Sequence, residues 1–270
     1  MRLTIRHETR YAFDTPLRSV AQLLRLTPSD HAGQTVLSWR VAAGGEDLPG
    51  FEDGYGNRCH LLTRRGTVRD LIVTVQGEVE TEDRAGLLAG QAEPLPPAFF
   101  LRTTDLTAPD EGLRALAVEA KGEAGHLARL HALMGLVRDR VAYRTGTTGT
   151  ATTAAAALAG GQGVCQDQAH VMIAAARSLG IPARYAGGYY WPGANGRDEP
   201  AAHAWMEGHV EGLGWVGFDP ANGVCPTDRY VRVAVGLDYA DAAPVRGVRQ
   251  GGGTERLTVS VRVDEMAVQQ

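Results

Sequence analysis

The sequence predicts an α+β protein in which a small antiparallel β-sandwich precedes a mixed helical and strand segment. Three observations carry this. Apolar and polar residues alternate with period two through the first 84 positions, and helical periodicity takes over from about position 107. Strand-like alternation then returns after a short helix that begins at a cysteine. The expected organisation is 1–84 for the β-sandwich, 85–108 for a linker and 109–270 for the core with its C-terminal strands.

In the first part, Leu3, Ile5, His7, Thr9 and Tyr11 alternate with Arg2, Thr4, Arg6, Glu8 and Arg10, as on a strand with one dry face. Further strands are expected at 20–26, 36–41 and 71–75, separated by turn-formers such as Asp53-Gly54-Tyr55-Gly56-Asn57. Short strands at this spacing suggest a sandwich. The linker is rich in Gly and Pro, with Pro94, Pro96 and Pro97 close together, and reads as a strap across the surface.

Thr107 is the expected N-cap of a first helix, with Pro109 and Asp110 in its first turn and Leu113, Leu116 and Ala117 as its buried stripe. Leu127, Leu130, Met134, Val137 and Val141 mark a second amphipathic helix. A short helical turn is expected over 152–158. Alternation resumes over 230–235 and at Leu257, Val259, Val261 and Val263, with Gly251-Gly252-Gly253 as a flexible hairpin tip.

Composition narrows the function classes. The chain of 270 residues has 44% apolar and 21% charged residues and a net charge of −4, a soluble globular balance. No basic stripe favours nucleic acid or an anionic membrane, and no apolar run approaches a bilayer span. The N-terminus is strand-like and charged rather than a secretion signal, so a cytoplasmic location is expected. Cys59, Cys165 and Cys225 are odd in number and lack a CxxC pair, which fits a reducing compartment. No GxGxxG, Walker, EF-hand or HExxH pattern is present, so neither cofactor nor metal is expected. His203, Glu207 and His209 share a strand face, but that is the pattern of a solvated strand. Cys59 and Cys225 carry no motif and read as structural.

The informative segment is Gly161-Gln162-Gly163-Val164-Cys165-Gln166-Asp167-Gln168-Ala169-His170. Its glycines permit an unusual backbone path just before the cysteine. Ala169, Met172, Ile173, Ala176 and Leu179 then recur at helical spacing until Gly180 and Pro182. Cys165 therefore opens a helix, where unpaired N–H groups and the macrodipole favour the anion that a nucleophilic thiol must become. His170 lies five residues along that helix, about 140° around its axis, and points away. His203 is the better base, in a strand where Ala204, Met206 and Val210 alternate with His203, Trp205, Glu207 and His209. Gly212-Leu213-Gly214 turns this strand into Trp215-Val216-Gly217-Phe218-Asp219-Pro220. Such a hairpin can set Asp219 beside His203 to orient its ring. Trp205 and Trp215 could wall a cleft, although a core role suits both slightly better.

Gly163-Val164-Cys165-Gln166-Asp167, His203-Ala204-Trp205 and Trp215 through Pro220 resemble the three motif blocks of bacterial transglutaminase-like cysteine enzymes. The stretch from Arg177 to Tyr185 fits the helix-to-strand passage of that family, and the N-terminal strands look like the β domain that precedes the core in one bacterial branch. The resemblance implies a papain-like α+β core with a central helix packed on an antiparallel sheet, and Cys165, His203 and Asp219 as a catalytic triad. It implies a cysteine protease or amidohydrolase acting on peptide or protein amides through a thioester. Acyl transfer to an amine, as in a transglutaminase, and a non-catalytic peptide-binding module are the alternatives. For the second oxyanion donor, Tyr143 ranks slightly above Gln162, and a core role for Tyr143 stands level with it.

Overall fold

The computed structural model describes residues 1–122, 124–193 and 202–266. The N-terminal part runs through β1 (Arg2–Thr27), β2 (Gln34–Ala43), β3 (Glu46–Asp47), β4 (Gly50–Glu52), β5 (Arg58–Thr81) and β6 (Leu87–Leu88). Helices α1 (Glu111–Ala120) and α2 (Gly125–Arg140), strand β7 (Ala142–Tyr143), helix α3 (Ala154–Gly160) and strand β8 (Gln162–Gly163) follow. Then come α4 (Cys165–Ser178), β9 (Ala183–Tyr190), β10 (Ala202–Val210), β11 (Gly214–Phe218) and β12 (Tyr230–Gly236). Helix α5 (Tyr239–Ala242) and strands β13 (Val245–Gly251) and β14 (Glu255–Glu265) close the described chain.

The expected small sandwich is realised as one seven-stranded antiparallel sheet built on two long strands, β1 and β5. The separate strands expected at 1–11 and 20–26 are halves of β1, and 71–75 lies within β5. Their inward residues, among them Tyr11, Phe13, Leu24, Leu62, Val73 and Val75, form one apolar cluster.

The C-terminal strands differ from expectation. They do not extend the core but return to the first strand: β14 pairs with Leu3–Phe13 of β1 and β13 with Leu17–Leu24 of the same strand. Both lie antiparallel to β1 and follow one another along it, so they act as one strand interrupted at a bend. Gly251-Gly252-Gly253 spans that interruption and is not a hairpin tip. All three glycines have positive φ, and a Cβ on Gly252 would fall 2.1 Å from Leu17 Cδ2. The break matches the irregular pairing of β1 with β5 between Ala12 and Leu17. The physical reason is edge protection, because a 26-residue strand without a second neighbour would leave a long row of unpaired N–H and C=O groups.

The second sheet has five antiparallel strands in the order β12-β9-β10-β11-β6, and α4 packs on β10 and β9. Helix α4 is buried nearly all round, with Ala169, Val171, Met172, Ile173, Ala174, Ala175 and Ala176 at 0–1% exposure. Its alanines allow close approach of α1, α2 and α3 on one side and the sheet on the other. Helix α1 starts three residues later than expected, because the Asp110 carboxylate accepts the Leu113 N–H and caps it. Leu127 is 36% exposed, outside the buried stripe of Leu130, Leu133, Met134 and Val137.

A buried charge cluster locks the sheet. Glu207 on β10 is fully buried and accepts from Arg184 on β9 at 2.6 Å and from Arg232 on β12 at 2.7 Å. Burial opposes its charge, but Arg232 and Arg184 hold the carboxyl down at about 2. Arg184 also reaches Glu93 of the 85–108 segment at 2.8 Å and lies 3.9 Å over the Trp215 ring, tying the strap to the sheet. Glu207→Ala leaves the buried Arg184 with only the half-buried Glu93 and takes the carboxylate from the half-buried Arg232. Its free energy of unfolding in urea is expected to fall by about 3–5 kcal/mol, whereas exposed Glu52→Ala should change it negligibly.

Candidate active site

The path into α4 is set by Gly163 and Asp167. Asp167 Oδ2 accepts the Val164 N–H at 2.8 Å and the Thr148 hydroxyl at 2.6 Å. A Cβ on Gly163 would lie 2.7 Å from both Asp167 Cβ and Oδ2, so only glycine lets this carboxylate fold back over the turn. Cys165 is the first residue of α4 and is partly exposed.

His203 lies near the start of β10 and Asp219 just beyond β11. Asp219 Oδ2 accepts from His203 Nε2 at 2.7 Å. The same oxygen accepts from the Asn222 side-chain amide and the Tyr230 hydroxyl, each at 2.7 Å, while Oδ1 accepts the Ala221 N–H at 2.9 Å. The carboxylate is fully buried, which opposes its charge, but these donors outweigh burial and hold it below the usual range. His203 and Cys165 line the same cavity, with the thiol near enough to act on the charge of the ring. Burial disfavours the imidazolium, yet the bond to Asp219 and the charges of Asp219 and Cys165 outweigh it and raise His203 to about 10. With Nε2 committed to Asp219, Nδ1 is the ring nitrogen left for proton exchange with the thiol.

Three of the expected site residues thus come together. Tyr143 does not line the cavity at Cys165. It is 48% exposed on β7, opposite Gly163, and Gln162 lies beside it on β8. Trp205 and Trp215 are core residues at 2% and 4% exposure, although the Trp205 ring also stacks against His203. His170 is fully buried, accepts the Tyr239 N–H through Nε2, and is driven down to about 3 by burial. Cys59 is buried with its thiol pushed up to about 12, chiefly by burial, and burial also raises Cys225.

Sequence reasoning missed Asn222, Tyr230, Asp167 and the contribution of the N-terminal sheet. Asn222 carried a signal, since Asp219-Pro220-Ala221-Asn222 is a turn whose polar ends fold together. Tyr230, on another strand, carried none. The cavity at Cys165 and His203 measures about 250 Å³, and its lining includes His7, Arg25 and Leu26 of β1.

A helix-start cysteine, an imidazole and a carboxylate on an antiparallel sheet, beside a separate β-sheet domain, define the transglutaminase-like α+β class. Residues 3–80 match the bacterial transglutaminase-like N-terminal region and residues 114–220 the transglutaminase-like superfamily core. An uncharacterised protein of Mycobacterium leprae is 31% identical over 98% of this chain and 99% of its own length. One from Mycobacterium tuberculosis is 28% identical over 97% of this chain and 92% of its own. A crystal structure of a candidate cysteine protease from Cytophaga hutchinsonii superposes with a TM-score of 0.79 at 22% identity, covering 100% of this chain and 92% of the other, and so shares the fold. The chain belongs to the transglutaminase-like superfamily, in the bacterial form that carries this N-terminal region.

The elevated His203 implies a pH signature. A folded-state value above the unfolded one, near 6.5, stabilises fully below pH ~6.5, and that stabilisation is lost as pH rises through about 10. Unfolding midpoints should therefore fall between these values, and the His203 ring signal in NMR should titrate near the upper one. Asp219→Asn is expected to move that titration down and flatten the decline.

Proposed function

We propose that this protein is a cysteine-dependent enzyme that opens amide or peptide bonds through a thioester, with Cys165 as nucleophile, His203 as acid and base, and Asp219 as the group that orients His203. The observation that carries the reading is the His203 ring, held by a saturated buried carboxylate at 2.7 Å in the same cavity as a thiol at a helix start. The Cys165 thiolate adds to the substrate carbonyl carbon, and the resulting oxyanion meets first-turn N–H groups of α4, which have no intrahelical partner. The His203 imidazolium gives its proton to the amide nitrogen, the C–N bond breaks and the amine leaves. Water then gives a proton back to His203 as its oxygen attacks the thioester. The acid is released and the thiolate restored. An amine in place of water would complete acyl transfer by the same steps.

Asn222 and Tyr230 act as positioning residues, since each holds Asp219 rather than the reacting atoms. Among the thiols, only Cys165 combines partial exposure with an imidazole partner, while burial disfavours the thiolate at Cys59 and Cys225.

Brief iodoacetamide treatment between pH 5 and 8, read by intact mass, is expected to give one adduct in the wild type and none in Cys165→Ala. His203→Ala should slow labelling at pH 5–6 by at least about tenfold. Labelling that is slow in the wild type and indifferent to His203 would overturn the catalytic reading in favour of a binding groove.

A further inference from the structure

The cavity at Cys165 and His203 runs over the face of β9 towards the N-terminal sheet. Part of its lining is a row of three small residues in register across three strands: Ala204 on β10, Gly187 on β9 and Ala234 on β12. Tyr185 and Tyr189 share the face of Gly187 by alternation along β9 and also line the cavity. Leu26 of β1 and Pro244 complete the apolar wall, so neither sheet builds this space alone.

The two polar side chains of its β1 wall are held largely by other residues. His7 Nδ1 lies 3.0 Å from the Tyr189 hydroxyl and its Nε2 2.9 Å from Thr9 Oγ1, while burial brings the ring down to about 4 and leaves it neutral at pH 7. Arg25 pairs with Asp53 through Nε at 2.9 Å, and its unpartnered Nη1 is enclosed by protein. The cations of the lining, Arg25 and His203, are each already paired with a carboxylate, Asp53 and Asp219, so a charged group entering here would lose its water for a counter-ion that is engaged elsewhere, whereas an apolar group loses only unfavourable hydration. At about 250 Å³ the cavity is smaller than sites for drug-sized ligands, about 300–1,000 Å³, and suits a single side chain.

The two glycines at this point of β9 differ in a way that bears on the question. A Cβ on Gly188 would fall 1.9 Å from the Val231 carbonyl oxygen, so glycine is required there by the neighbouring strand. A Cβ on Gly187 would meet only Tyr185 Cε1, at 3.6 Å, and Gly187 does not have a positive φ. Neither backbone nor packing demands glycine at 187, and what its missing side chain leaves is open cavity.

We propose that this cavity is the specificity pocket of the site, taking one uncharged apolar side chain, aliphatic or aromatic, from the acyl side of the amide. Gly187 sets its depth, and Leu26 makes the N-terminal sheet part of the substrate site. The position of the amide rests on the catalytic reading above; the chemistry of the pocket does not.

The test is calorimetric binding of acetyl-Gly-Xaa-Gly-amides to the full chain carrying Cys165→Ala, which retains the pocket without the thiol. Peptides with Leu or Phe as Xaa are expected to bind at least about tenfold tighter than those with Glu or Lys. Gly187→Leu in the same background should abolish that preference, and Gly187→Ala should weaken Phe more than Leu. If Gly187→Leu fails to fold by circular dichroism, the Gly187→Ala ranking decides. Tightest binding of the Glu peptide, which would make Arg25 a ligand, overturns the proposal. So does a flat ranking, or a preference unmoved by Gly187→Ala. An inert thiol in the labelling experiment would sink the catalytic reading and leave this ranking to stand or fall by itself.

Discussion

The five-stranded sheet depends on one buried carboxylate. Glu207 sits on β10, and the arginines it holds belong to the neighbouring strand, β9, and to β12 on the far side of β9. A fully buried anion shared by a buried and a half-buried cation is a costly combination unless every geometry is met, so the cluster admits few alternative registers for these strands. Those registers in turn decide which residues stand at the end of β10. His203 faces Asp219 because β10 and β11 pair from Met206↔Phe218 to Val210↔Gly214, and a one-residue slip would send the imidazole to the opposite face. The same cluster reaches outward through Glu93 to the strap. Gln34 of the N-terminal sheet holds the backbone of Arg232 through both its N–H and its C=O. A charge in the interior thus fixes the sheet, the strap and the contact between the two halves together.

Much of this was legible in the sequence, and the limits have physical causes. A nucleophile at a helix start is written in local terms, as glycine, cysteine and then period 3.6, so Cys165 at the head of α4 needed no long-range information. Helical phase likewise sufficed to set His170 aside. Alternation revealed 257–263 as a strand but could not say which edge it would join, because pairing partners are a property of the whole sheet. The same holds for Tyr230, eleven residues beyond Asp219 and on another strand, whose hydroxyl reaches the carboxylate only once β12 is in place. Tyr143 was ranked on nearness in sequence to the cysteine loop, and β7 instead leaves it about half-exposed beside that loop.

The N-terminal sheet does not stand apart from the site. His7 and Tyr189 bond across the boundary, Arg25 and Leu26 line the cavity, and Asn57 joins the Val235 backbone through donor and acceptor alike. These are paired, buried contacts of the kind found inside domains rather than at transient interfaces. Motion of one sheet against the other would break hydrogen bonds on both sides of the cleft at once. Access to Cys165 is thereby coupled to the integrity of a sheet that holds neither Cys165, His203 nor Asp219.

The pairing of β14 with β1 has a consequence for biosynthesis. Residues 255–265 leave the ribosome about 250 residues after their partners at 3–13. At about 5–20 residues per second, the edge of β1 waits on the order of tens of seconds for the strand that covers it. During that time a nascent chain with a finished helical core still offers neighbouring polysomal chains a bare strand to pair with. Arrival of the strand at 255–265, rather than of the one at 3–13, is then the step at which this edge becomes safe from its own copies.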